Sequence, residues 1–167
     1  MLEFRTSKGT FTVQLFDKQA PISAENFRKY AEDGYFDGTV FHRVIPGFMV
    51  QGGGMTADLK PRSGQRAPIQ NEATNGLKNK RGTLSMARTN DINSATSQFF
   101  VNLVDNDFLD HKGTASFGYA VFGRVASGME VIDAIAAVKT GSKAGHQDVP
   151  VEPIVIESVT VTAEGDE

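Results

Sequence analysis

The chain has 167 residues, and 17 Lys plus Arg against 20 Asp plus Glu give it a net charge of −3. That length suits one compact domain, and the slight acidic excess argues against a protein that grips nucleic acid through a broadly basic surface. Apolar residues at 40% and charged residues at 22% are the proportions of a folded globular chain, and with no cysteine, disulfides, thiolate nucleophiles and Cys-ligated metal sites are excluded.

Residues 2–6 and 10–16 read as a hairpin turning at Lys8-Gly9. Phe11, Val13 and Leu15 alternate with Thr10, Thr12 and Gln14, the period of a half-buried strand. A helix follows from Pro21, with Phe27, Tyr30 and Ala31 on one face and Gly34 suited to its exit. Residues 39–45 and 47–51 read as two strands broken at Pro46-Gly47. Residues 52–82 fit neither period, and an irregular stretch of that length is often functional. Residues 83–87, 97–104 and 119–125 are further strands. A second amphipathic helix spans 129–138, with Val131, Ile132, Ile135 and Ala136 clustered, and a β-branched strand spans about 153–162. The polar tail from Ala163 is expected to fray. The 17 glycines and 12 phenylalanines suggest a β-rich protein with an aromatic core. Closing the sheet into a barrel would remove its edges, and the two helices could plug the ends.

Several chemistries lack their residues. Gly52-Gly53-Gly54 begins like a dinucleotide fingerprint, but Ala57 breaks it and no helix pattern follows. His42, His111 and His146 have no metal-helix spacing. Asp105 and Asp107 start a calcium-loop spacing that the later positions do not continue. No Gly-x-Ser-x-Gly turn is present, although a triad assembled in space would leave no such mark. No run approaches the ~20 apolar residues of a membrane span. The start, Met-Leu-Glu-Phe-Arg, has no signal-peptide pattern, so a cytoplasmic location is expected.

The unusual residues fall in three clusters. In Phe41 to Gly54, period-two alternation puts Phe41, Arg43 and Ile45 on one strand face, with Phe48, Met49 and Gln51 beyond the Pro-Gly break. A cation thus lies among large apolar side chains, as a functional group or as an arginine whose stem packs on rings at a barrel rim. In Ser97 to Leu103, the adjacent Phe99 and Phe100 must point to opposite faces of a strand. In Asp107-Phe108-Leu109-Asp110, apolar residues sit in a polar, turn-rich stretch, where they could also serve as a loop anchor. His42 reads as structural, facing away from Arg43, and Lys78-Asn79-Lys80-Arg81 reads as a solvated loop face.

Together these segments resemble the cyclophilin family of peptidyl-prolyl cis–trans isomerases over about residues 2–162. The most specific piece runs from Phe41 to Gly53, supported by Gly82 to Ala87, Ser97 to Phe100 and Val121 to Val125. The short N-terminus and the Asn71 to Asn79 loop are most similar to the cytoplasmic bacterial branch. The resemblance implies a mainly β fold, a closed eight-stranded antiparallel β-barrel capped by two α-helices, in one domain spanning 1–167. It also implies a proline-binding groove on the barrel's outer surface. By motif, Arg43 matches the family's essential arginine, and Gln51, beside it, is assigned to catalysis. Phe48, Met49, Phe100 and Leu109 match the hydrophobic proline pocket, and Gln98 matches a polar groove residue. Ala87 and Arg88 match a strip along which the substrate backbone lies, used mainly through main-chain groups, so Arg88 in place of the frequent Asn is expected to matter little.

Two groove positions depart from the best-known eukaryotic pattern. Phe108 stands where those members carry Trp. A phenyl ring cannot donate the indole hydrogen bond that the inhibitor cyclosporin uses, so weak cyclosporin binding is expected. Tyr119 stands where many members carry His, and altered substrate preference is expected there. The implied partners are proline-containing peptides and unfolded protein clients, with no nucleic acid, membrane, metal or cofactor, and a monomer is the default. Two other classes remain: a scaffold that binds proline segments without turnover, and a ligand-carrying barrel, which the many large Phe side chains disfavour.

Overall fold

The computed structural model describes residues 1–162, so the polar tail at 163–167 lies outside the described residues. Strands β1 (Leu2–Thr6) and β2 (Gly9–Leu15) form the predicted hairpin, and the Thr6 hydroxyl donates to Gly9 O across its turn at 2.7 Å. Helix α1 (Pro21–Glu32) buries Phe27, Tyr30 and Ala31. Its first N–H groups have no local side-chain cap. The Glu72 carboxylate accepts from Ser23 N at 2.6 Å and Ile22 N at 3.2 Å instead, a cap drawn from a distant loop that places negative charge at the positive end of the helix.

The chain continues through β3 (Thr39–Ile45), β4 (Met49–Thr56), β5 (Thr83–Met86), β6 (Phe99–Asn102) and β7 (Val121–Ser127). It then forms α2 (Met129–Ala136), the hairpin β8 (Thr140–Lys143) and β9 (His146–Pro150), and β10 (Ile156–Val161). Eight strands make one antiparallel sheet in the order β10-β1-β2-β7-β5-β6-β4-β3. Its two edges meet where Gly38 N donates to Ile156 O at 2.8 Å and Phe41 N donates to Ile154 O at 3.0 Å. With a Val40–Val155 bridge, these bonds bring the sheet to a nearly closed barrel without a full ladder at the seam. Strand β4 runs five residues past its predicted end at 51, and the β8–β9 hairpin has no counterpart in the sequence reading. Most of its side chains face solvent, so it carries no hydrophobic period, although Val149 packs on Val40 and Leu59 outside the barrel.

The barrel interior is filled. Phe4, Phe11, Phe27, Phe36, Phe41, Phe99 and Phe122 are all fully buried there, with Phe4 stacked on Phe11 at 4.8 Å and Phe27 edge-on to Phe99 at 5.1 Å. Rings packed at these spacings gain dispersion and quadrupolar contact and occupy the space a carried ligand would need. The stretch 57–82 is irregular but anchored: Arg66 N donates to the Tyr30 hydroxyl at 2.8 Å, and the Tyr35 hydroxyl donates to Arg62 O at 3.1 Å. No described helix is long and apolar enough to cross a membrane.

Candidate active site

Strand register places the site. Paired residues on neighbouring antiparallel strands share a face. Arg43 on β3 pairs with Gln51 on β4, which pairs with Phe100 on β6. The adjoining row Val44–Val50–Val101–Leu84 is fully buried in the core, so the Arg43 row projects from the outer wall. Two residues along, Ile45 pairs with Met49 on that same outer face.

Strict alternation would put Phe41 there too, and the structure corrects this. The register slips between Phe41 and Arg43, so that three residues of β3 span two of β4. This bulge turns Phe41 into the barrel core while Arg43 stays exposed. Arg43 Nη1 reaches Gln51 Oε1 at 3.5 Å, and Gln51 Nε2 donates to Gln98 Oε1 at 3.0 Å. Among the described residues no carboxylate pairs with Arg43.

Beside this polar row lies an apolar cluster separate from the core. Met49, Phe100 and Leu109 are buried, and Ile45, Phe48, Ala87 and Tyr119 pack around them half-exposed. Phe99 and Phe100 divide as their alternation requires, one into the core and the other into this cluster. Leu109 arrives on a one-turn 3-10 helix, Asp107–Leu109, which leaves Phe108 63% exposed and stacked on Phe48 at 5.6 Å. Ala87 N donates to Gln98 O at 3.0 Å, and Arg88 lies next along the chain. All eleven predicted site residues therefore gather on one outer face, around β3, β4, β6 and the 87–119 loops.

The sequence matches the family described as "Cyclophilin type peptidyl-prolyl cis-trans isomerase/CLD" over residues 1–161. The chain belongs to the cyclophilin family. It is 56% identical over 162 residues to a peptidyl-prolyl cis-trans isomerase of Streptomyces antibioticus, covering 96% of this chain and 97% of that one. It is 51% identical over 164 residues to peptidyl-prolyl cis-trans isomerase B of Escherichia coli, covering 97% and 99%. A crystal structure of a Cryptosporidium parvum cyclophilin, obtained in the presence of the dipeptide Ala-Pro, superposes with a TM-score of 0.80 at 25% identity, covering 98% of this chain and 99% of that one.

The outer apolar cluster of this cyclophilin rests on a buried polar network that sequence reasoning missed. Asn79 was read as part of a solvated face. Lys78, Lys80 and Arg81 are indeed exposed, but Asn79 is 1% exposed. Its amide donates to Asp110 Oδ1 at 3.0 Å and Leu109 O at 3.2 Å, and its Oδ1 accepts from Ser85 Oγ at 2.5 Å. Asn102 Nδ2 also donates to Asn79 Oδ1, at 3.2 Å, and Asn106 Nδ2 donates to Asn102 Oδ1 and to Phe48 O, both at 2.9 Å. Two walls of the apolar cluster are thus held by their carbonyls. An asparagine within a basic loop gives no local signal of this, because its partners lie 6 to 40 residues away.

The glycine run also finds its reason in packing. Gly53 has φ +90, and a Cβ there would lie 2.8 Å from the Phe99 ring. A Cβ at Gly54 would overlap the Gln98 side chain. The run lets β4 approach β6 closely, and it opens no helix that could cradle phosphate. His42 is buried as a structural residue, and its Nδ1 has no hydrogen-bond partner among the described residues. Burial lowers its pKa to about 4, with His146 and Arg43 pushing in the same direction.

Proposed function

We propose that this peptidyl-prolyl cis–trans isomerase rotates X-Pro bonds of unfolded or flexible segments at the Arg43 face, with Phe48, Met49, Phe100 and Leu109 gripping the proline ring. The observation that carries the reading is Arg43 itself: an exposed guanidinium without a carboxylate partner among the described residues, within reach of Gln51 and set beside an apolar cluster.

The barrier to rotation, ~18–20 kcal/mol, is amide resonance. In the twisted transition state the prolyl nitrogen loses conjugation and gains a lone pair. A fixed guanidinium donates to that nitrogen, or to the rotating carbonyl, more strongly than it does in the planar ground state, and only such a difference accelerates a reaction. Arg keeps its charge and presents a rigid fork of donors, with Gln51 within reach of one of them. The apolar cluster fixes one half of the substrate while the other turns. It also excludes water, which strengthens the arginine contact. A ~10⁵-fold acceleration requires only ~7 kcal/mol, within reach of one charge-assisted hydrogen bond, orientation and desolvation. No covalent bond is broken, so the step calls for no nucleophile.

Uncatalysed X-Pro isomerisation takes tens of seconds or longer, which makes assistance to folding the natural setting. Proline-containing peptides as partners are supported by the Ala-Pro dipeptide used with the Cryptosporidium parvum relative. The family match over residues 1–161 supports reading 1–167 as one domain. We place the protein in the cytoplasm as a monomer, which fractionation and sedimentation would check. The site is tested by NMR exchange on a short X-Pro peptide with the parent protein, Arg43→Ala and Arg43→Lys. Rapid cis–trans exchange in the parent and its near loss in both variants is expected. Equal acceleration by all three removes Arg43 from the mechanism, and peptide shifts without exchange in the parent reduce the groove to a binding surface.

A further inference from the structure

Arg88 uses its side chain in a way the backbone strip does not require. Its Nε and Nη2 donate to Gly118 O at 3.3 and 3.0 Å, and its Nη1 donates to Thr89 O at 2.9 Å. All three guanidinium nitrogens are thereby engaged by main-chain carbonyls, and no described carboxylate pairs with them. The guanidinium carbon lies 4.5 Å from the centre of the Tyr119 ring, within cation–π range. Tyr119 in turn meets Phe100 edge-on at 5.7 Å. The backbone beneath is equally constrained. Tyr119 N donates to Leu109 O at 2.9 Å. At Gly118, with φ +84, a Cβ would lie 2.6 Å from His111 N and 2.7 Å from Leu109 O.

We propose that Arg88 is a positioning residue whose guanidinium clamps the Tyr119 ring and, through it, the Phe100 wall of the proline pocket, so that this side of the pocket is formed before a client arrives. A half-exposed tyrosine without the clamp samples several rotamers, and ordering them would be charged against each binding event. The clamp acts on binding of planar and twisted amide alike, so its loss raises KM more than it lowers kcat. Lysine does not substitute, since it has neither the planar face to stack nor the fork that spans two carbonyls. The inference rests on the assignment of Phe100 to the proline pocket.

A double-mutant cycle tests it, with peptide KM and kcat taken from NMR exchange. Arg88→Lys and Arg88→Met are each expected to raise KM about three- to tenfold, the range of a partly desolvated cation–π contact, with kcat changed less than about twofold. The same Arg88 changes are expected to have no further effect in a Tyr119→Leu background. In the unaltered protein the Arg88 Nε–H resonance should be shifted upfield by the tyrosine ring, a signature kept in Tyr119→Phe and lost in Tyr119→Leu. An unshifted resonance in the unaltered protein overturns the clamp whether or not any variant folds. So does an unchanged KM in Arg88→Met, or Arg88 and Tyr119 effects that simply multiply. A fall in kcat equal to the fall in kcat/KM would make Arg88 a transition-state contact instead. Phe100→Ala separates the two readings. If it abolishes peptide binding while Arg88→Met leaves KM unchanged, the clamp alone fails, and if it leaves binding intact, the pocket assignment fails with it.

Discussion

Phe99 and Phe100 are neighbours on β6, yet they belong to apolar clusters of different construction. Phe99 is surrounded by other rings, within 6.0 Å of Phe4, Phe27, Phe36 and Phe41. Phe100 shares its burial only with Met49 and Leu109, under a half-exposed rim that includes Phe48 and Tyr119. The inner cluster holds its shape by mutual packing on every side. The outer one is half-exposed, the side the proposed function gives to a substrate, and its walls are held from behind, by the Asn79 network at Leu109 and by Asn106 at Phe48. A surface that cannot be packed on both sides is here held from its buried side by hydrogen bonds, which are directional and stronger where water is excluded.

Substitutions that separate the two clusters break or sharpen this contrast. The largest effect is expected for Phe99→Ala, which empties a sealed site and should cost ~3–5 kcal/mol in urea denaturation. Phe100→Ala opens onto solvent and leaves no sealed cavity, so its cost should be nearer ~1–2 kcal/mol while peptide binding is lost. Equal costs for the two would erase the distinction. Next comes Arg43→Ala, expected to lower kcat/KM about 10²–10³-fold, as removal of a transition-state donor does. Its unfolding free energy should move by less than ~0.5 kcal/mol, because the side chain is exposed and makes one long hydrogen bond.

His42 gives a test by pH. Its folded pKa of about 4 lies below the ordinary value of 6.5, so the unfolded chain takes up this proton first. Stability from this group is complete above pH ~6.5 and is lost as the pH falls toward 4, with a limit on the order of 3 kcal/mol. Denaturation at pH 7 and at pH 4.5 should show the loss in the parent and a smaller one in His42→Gln. A parallel loss in both would assign the slope to other groups. The smallest effect is expected at the rim. Phe108→Trp restores an indole donor and should strengthen cyclosporin binding about fivefold in a calorimetric titration, the net value of one neutral hydrogen bond.

Much of this was legible in the sequence. Phe11, Val13 and Leu15 announced β2, Pro21 to Gly34 announced α1, and the Phe41 to Gly53 motif carried the family. The division of Phe99 from Phe100 followed from alternation alone. The β8–β9 hairpin was not legible, because its strands bury too little to show a period. Asn79 was not either, since a buried asparagine and a solvated one look alike until their partners are known. The Gly52 to Gly54 run was visible as an oddity, but the ring and amide it accommodates lie more than 40 residues away.

Period, turn residues and motif order are properties of neighbours along the chain, and they determined the eight barrel strands and the two helices and pointed to the candidate site. The bulge that sends Phe41 inward and leaves Arg43 outside was decided by the pairing of β3 with β4. So was the carbonyl support behind Leu109 and Phe48, by residues brought together from separate loops. Hydrogen bonds between distant segments obey register and geometry, and no window of local sequence contains either.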